Sequence, residues 1–102
     1  MDVKQQEYFA AIVEEGSISK AAKKLYISQP TLSQFLSKLE NTLGMQLIVR
    51  SSTNTLSLTE AGQLFYESSK KILAIRDDFE SKLSDLSGST SANLIIGNNL
   101  SN

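Results

Sequence analysis

Two helix-start signals lie eleven residues apart, at Ser17 and Ser28, and this spacing constrains the fold more than any other feature of the chain. A serine hydroxyl at each position can accept from backbone N–H groups that the first turn of a helix leaves unpaired. Pro30 falls in the first turn after Ser28, where its missing N–H costs nothing. The segment between the two serines holds only about two helical turns and a tight connection at Tyr26 and Ile27. Ile18, Ala21, Ala22 and Leu25 share one side of that short helix. The two alanines allow a second helix to approach closely, where larger side chains would clash. In the next helix Leu32, Leu36, Leu39 and Leu43 recur at spacings of four, three and four and form its core face, and Gly44 ends it. Two short helices about one tight turn make a helix-turn-helix.

The flanks complete the pattern. Residues 2–15 read as a first helix capped by Asp2, with Phe9, Ile12 and Val13 as its apolar stripe and Gly16 as its terminator. Residues 46–50 and 55–58 read as two short strands, joined by the polar segment 51–54 as a candidate wing. Such a hairpin is not stable alone and must pack on the helices. Thr59 caps a long helix that runs to about Leu86, roughly 42 Å, with Glu60 at its positive end. Phe65, Ile72, Phe79 and Leu86 recur every seven residues along it, with Ala61, Ser68, Ile75 and Lys82 at the alternate seam positions and Leu64 and Leu83 alongside. A helix this long outruns a small domain, and a second copy is the simplest partner for its seam. The expected fold is therefore mainly α: a winged helix-turn-helix of three helices plus a two-stranded wing over residues 1–58, a dimerisation linker helix over 59–86, and a remainder over 87–102. Residues 84–91 are rich in Ser and Gly and read as a hinge. Residues 94–97 resemble a first buried strand with nothing after it to build a sheet, so the chain is expected to be an N-terminal fragment of a longer one.

Composition removes whole classes of function. With no cysteine, disulfides and cysteine-based zinc sites are excluded; with no histidine, the commonest general base and metal ligand are missing. Asp77, Asp78 and Glu80 read as a solvated helix face, so no enzyme, cofactor or metal is expected. No apolar run approaches the roughly 18 residues of a membrane span, and the N-terminus lacks the apolar core of a signal peptide, which suits a cytoplasmic protein without a membrane partner. The net charge of −1 hides an asymmetry. Residues 16–58 carry Lys20, Lys23, Lys24, Lys38 and Arg50 against Glu40 alone, a net of +4, while residues 1–15 and 59–102 carry −3 and −2. A local basic face attracts phosphates whatever the total charge, and these five cations are the candidate phosphate contacts.

Taken in order, Tyr8-Phe9, Glu15-Gly16-Ser17-Ile18, Ala21-Ala22 with Leu25, Ser28-Gln29-Pro30-Thr31-Leu32-Ser33, Leu39-Glu40, Leu43-Gly44 with Leu47, and Leu58-Thr59-Glu60-Ala61-Gly62 resemble the N-terminal region of LysR-type transcriptional regulators over residues 1 to about 97. The resemblance implies a DNA-binding winged helix-turn-helix, a linker helix that dimerises, and a C-terminal ligand-sensing domain of two α/β lobes, entered here through the hinge and residues 94–97. It implies binding to promoter or operator DNA as dimers or tetramers in response to a small-molecule effector held by that further domain. It also implies roles for residues. Gln29, Pro30, Ser33 and Gln34 would meet base edges in the major groove, and Ser28, Thr31, Ser37 and Lys38 would lie near the backbone. Arg50, Ser51 and Ser52 at the wing complete the expected DNA-binding set, and Phe65, Ile72, Phe79 and Leu86 the dimerisation set. Many relatives carry Arg where this chain has Gln34; Arg favours guanine, whereas Gln suits adenine. The segment 51–54 lacks the arginines that often reach the minor groove, and Phe35 is expected to extend the packing between helix and wing. The alternative reading is a winged-helix protein–protein interaction module that dimerises through the long helix, since fold does not fix function.

Overall fold

Hydroxyl side chains start three of the four helices in the computed structural model, which describes residues 2–49 and 56–88. The elements are α1 (Lys4–Glu15), α2 (Ile18–Leu25), α3 (Gln29–Leu43), β1 (Ile48–Val49), β2 (Ser57–Leu58) and α4 (Glu60–Leu86). Ser17, Ser28 and Thr59 each accept from the backbone N–H three residues on, at 3.0, 3.1 and 2.9 Å. α1 begins differently. Val3, expected inside the helix, is buried with non-helical backbone, so the helix starts at Lys4; Asp2 accepts from the Lys4 N–H at 3.1 Å.

The mainly α winged helix-turn-helix architecture with a long fourth helix is the one the sequence predicts. The core gathers Phe9 and Ile12 of α1, Ala21 and Ala22 of α2, Leu32, Leu36 and Leu39 of α3, and Leu47 and Ile48 beside the hairpin. In the turn between α2 and α3, Tyr26 adopts the left-handed conformation (φ 60°) and its N–H and that of Ile27 close the end of α2 on Lys23 and Ala22 carbonyls. A non-glycine residue rarely takes this conformation, and Tyr26 stands almost wholly in solvent, 94% exposed.

Two expectations are corrected. Leu43 is half-exposed at the C-terminal end of α3, where the core stripe stops at Leu39. The strands are shorter than residues 46–50 and 55–58: Ile48 pairs with Leu58 and Val49 with Ser57. Gln46 and Leu47 stay out of this ladder because their backbone groups have other partners. The Gln46 carbonyl accepts from Thr59 Oγ1 at 2.6 Å, the Leu47 carbonyl accepts from the Thr59 N–H at 3.0 Å, and the Leu47 N–H donates to Glu40 at 2.7 Å. Phe35 packs edge-on against Tyr8 of α1, ring centres 4.9 Å apart, while the wing segment 51–54 that it was expected to pack against lies outside the described residues.

α4 packs on α1 from Phe65 to Arg76. Phe65 meets Phe9 edge-on at 5.2 Å, Tyr66 donates to Glu14 at 3.2 Å, and Arg76 donates to Glu7 at 2.9 Å. Partial burial first, and then the Glu14 carboxylate, raise the pKa of the Tyr66 phenol. Phe65, expected on the dimer seam, is partly buried against the core of its own domain. The apolar row left in solvent on α4 is Leu64, Ile75, Phe79, Leu83 and Leu86, with Ile72 half-buried at its edge.

Candidate nucleic-acid interface

The start of α3 presents a polar surface because its apolar residues are all committed to the other side. Leu32, Leu36 and Leu39 are buried, and the helical repeat leaves Gln29, Pro30, Gln34, Ser37 and Lys38 exposed, with Ser33 half-buried among them. Ser33, Gln34, Ser37, Lys38 and Asn41 line one shallow depression along the helix. Asn41 was missed from the sequence, although it continues the same face one turn beyond Lys38 and two turns beyond Gln34. Ser28 and Thr31 have a second duty. Ser28 Oγ accepts from the Thr31 N–H and donates to Thr31 Oγ1 at 2.7 Å, so both hydroxyls lock the helix start and hold Gln29 and Pro30 at the outermost turn.

The cations divide into two groups. Lys24 makes an ion pair with Glu15 of α1 at 3.5 Å, while Lys20, Lys23 and Lys38 are exposed and join no ion pair among the described residues. These three remain available to an external anion, on the helix-turn-helix side of a molecule whose acids gather on α1 and α4. Arg50, Ser51 and Ser52 lie outside the described residues.

Sequence reasoning also missed the residues that hold α3 to the hairpin. Glu40 sits on the core side of α3, only 8% exposed, and its carboxylate accepts from the backbone N–H groups of Leu47 and Ile48 at 2.7 and 3.3 Å. An acid four residues after Leu36 and next to Leu39, on the buried face, was the available signal. Gly62 of α4 lies against the backbone of the same Leu47. A Cβ there would overlap the Leu47 carbonyl oxygen and come within 2.9 Å of the carbonyl carbon. Only glycine lets α4 cross the chain this closely.

With this arrangement established, comparison with known proteins is decisive. The family model for bacterial regulatory helix-turn-helix proteins of the lysR family matches residues 3–63. The chain belongs to the LysR family. Among curated LysR-family relatives, it is similar to the HTH-type transcriptional regulator BudR of Klebsiella aerogenes, 41% identical over 97 residues, covering 95% of this chain and 67% of that protein. It is 35% identical over 100 residues to the HTH-type transcriptional regulator BsdA of Bacillus subtilis (strain 168), covering 98% of this chain but 34% of that one. Its fold matches the crystal structure of the BenM_DBD/catB site 1 DNA complex with TM-score 0.79 and 38% identity, covering 85% of this chain and 96% of that one. The four helices and small hairpin of this LysR-family chain are those of a winged-helix domain, and no helix among the described residues is long and apolar enough to cross a membrane.

Proposed function

We propose that this chain is the DNA-binding part of a transcriptional regulator, reading duplex DNA by placing the first turns of α3 in the major groove, with two copies joined through α4. The observation that carries this reading is the exposed polar row on α3, from Gln29 to Lys38, held in place by buried leucines and by the Ser28 cap. The BenM_DBD domain, bound to DNA in its crystal structure, shares the fold at 38% identity, which supports the same use of the helix here. Within this reading Gln29, Ser33 and Gln34 contact bases, Pro30 offers an apolar surface to a thymine methyl, and Ser37, Lys38 and the wing residues Arg50, Ser51 and Ser52 contact the backbone. Glutamine presents a donor and an acceptor that match the N6 and N7 edge of adenine, so the half-site is A·T-rich, in inverted repeat because the protein pairs.

The same reading assigns residues 1–58 to the winged domain, 59–86 to the dimerisation helix, and 87–102 to the lead into a ligand-sensing domain that binds a small-molecule effector. It places the protein in the cytoplasm, as a regulator and not an enzyme. The relatives named above as transcriptional regulators are longer than this chain, which supports a further domain.

Selection of bound sequences from a random duplex pool tests the proposal. The wild type should return inverted A·T-rich half-sites, and Gln34→Arg should move one position per half-site toward guanine, with a discrimination of about 1–3 kcal/mol at that base. Identical preferred sequences from both proteins would remove Gln34 from the readout. Failure to shift any duplex even at low salt would favour the protein–protein module instead.

A further inference from the structure

The geometry points to Arg76 as a positioning residue that sets the spacing between half-sites: its bond to Glu7 fixes the angle at which α4 leaves the domain, and so the separation of two recognition helices joined through α4. The inference rests on the proposed reading as a DNA-binding dimer and adds to it a positioning residue on α4.

The position of Arg76 along α4 carries the argument. Among the described residues, side-chain hydrogen bonds join α4 to α1 at two places, Tyr66 to Glu14 and Arg76 to Glu7. Arg76 is the later of the two. Beyond it the helix stands free: Phe79 is 51% exposed and Leu86 85% exposed. Arg76 is therefore the last point along α4 at which a side-chain hydrogen bond ties the helix to α1 among the described residues, and Phe79, Leu83 and Leu86 of the exposed apolar row follow it. Its guanidinium is the better covered partner, with its side chain 20% exposed, and is held by three acids: Glu7 across the helix gap at 2.9 Å, Asp77 at 2.8 Å and Glu80 at 3.8 Å. The two acids on α4 orient the side chain, and Glu7 receives it. Hydrogen bonds to Glu7 first and Asp77 second also hold the guanidinium more firmly in its charged form.

Leverage makes a small contact important. The molecule is 25 Å across its middle dimension. A tilt of about 8° across such a lever moves its end by roughly 3.4 Å, one base-pair step along the duplex. A dimer reads the distance between half-sites by geometry, so looseness at this point appears as tolerance of the wrong spacing.

The test uses the full chain and duplexes that carry the half-site recovered by selection, alone or as inverted pairs whose separation changes one base pair at a time. The wild type should favour one separation. Arg76→Gln and Glu7→Ala, which cut the same bond from opposite ends, should keep the affinity for a single half-site and lower the preference for the best separation over its neighbours by about threefold, the scale of one partly exposed ion pair. Lys70→Ala, which removes a cation of the same helix whose ion pair with Glu67 lies within α4, should keep the wild-type profile. If the wild type shows a spacing preference and both Arg76→Gln and Glu7→Ala retain it, the inference is overturned and the DNA-binding reading stands. An equal flattening by Lys70→Ala also overturns it. If the wild type binds no duplex, or binds single and paired half-sites alike, the underlying reading fails and this inference with it.

Discussion

Replacing Gly62 by alanine sets two effects of opposite sign against each other. Gly62 lies in the first turn of α4, where alanine is favoured over glycine by about 1 kcal/mol of helix propensity. On propensity alone, the substitution should stabilise the protein. The new methyl would, however, overlap the carbonyl oxygen of Leu47 and lie 2.9 Å from its carbonyl carbon and 3.3 Å from its Cα. All three are backbone atoms, so no side-chain rotation relieves the contact. Nor can Leu47 retreat freely, since its N–H is bound to the Glu40 carboxylate at 2.7 Å and its carbonyl to the Thr59 N–H at 3.0 Å. Overpacking of this kind costs about 1–3 kcal/mol when atoms can shift, and more when they cannot. With the propensity gain subtracted, Gly62→Ala should destabilise by about 2 kcal/mol, lowering Tm by roughly 8–16 °C in a domain of this size. Urea denaturation at fixed protein concentration measures it. Gly44→Ala is the control: its φ is +75° with nothing within 4 Å of a Cβ, so it carries only the left-handed backbone cost of about 1–2 kcal/mol. A Gly62→Ala protein with an unchanged or higher urea midpoint would refute the reasoning, since propensity would then have outweighed a contact that is supposed to be immovable.

Two further outcomes are expected. Ser69 is 1% exposed on α4 with its hydroxyl unpaired among the described residues, so Ser69→Ala should raise stability by about 1 kcal/mol; a loss of that size in the same denaturation assay would reveal a partner for the hydroxyl. Ile72→Asp combined with Phe79→Asp should give monomers in sedimentation with the four-helix domain intact by circular dichroism, because each apolar side chain buried at a dimer seam contributes roughly 1.5–3 kcal/mol; a double variant that still sediments as a dimer places the interface elsewhere.

Chemistry confined to a few adjacent residues was legible in the sequence. Ser17, Ser28 and Thr59 cap the helices they were expected to cap, and Gly16 and Gly44 end theirs in the left-handed conformation. The polar face of α3 was legible for the same reason, since burying Leu32, Leu36 and Leu39 dictates which side remains outside. Longer-range choices were not. α4 carries apolar side chains on two adjacent faces, and a count of every seventh residue cannot tell which one a neighbouring helix takes. Phe65 turns to Phe9 while Leu64, next to it in sequence, stays in solvent. Glu40 and Arg76 were overlooked because each looks like an ordinary surface charge until its partners, seven and 69 residues away, are in place. These overlooked contacts make the molecule work as one piece. Glu40 grips the backbone of Leu47 and Ile48 from α3, Thr59 grips Gln46 and Leu47 from the start of α4, and Gly62 lets the two approach. α3 and α4 are thus fastened to the same three consecutive residues, Gln46, Leu47 and Ile48. The same short segment therefore links the helix that carries the polar row to the start of α4.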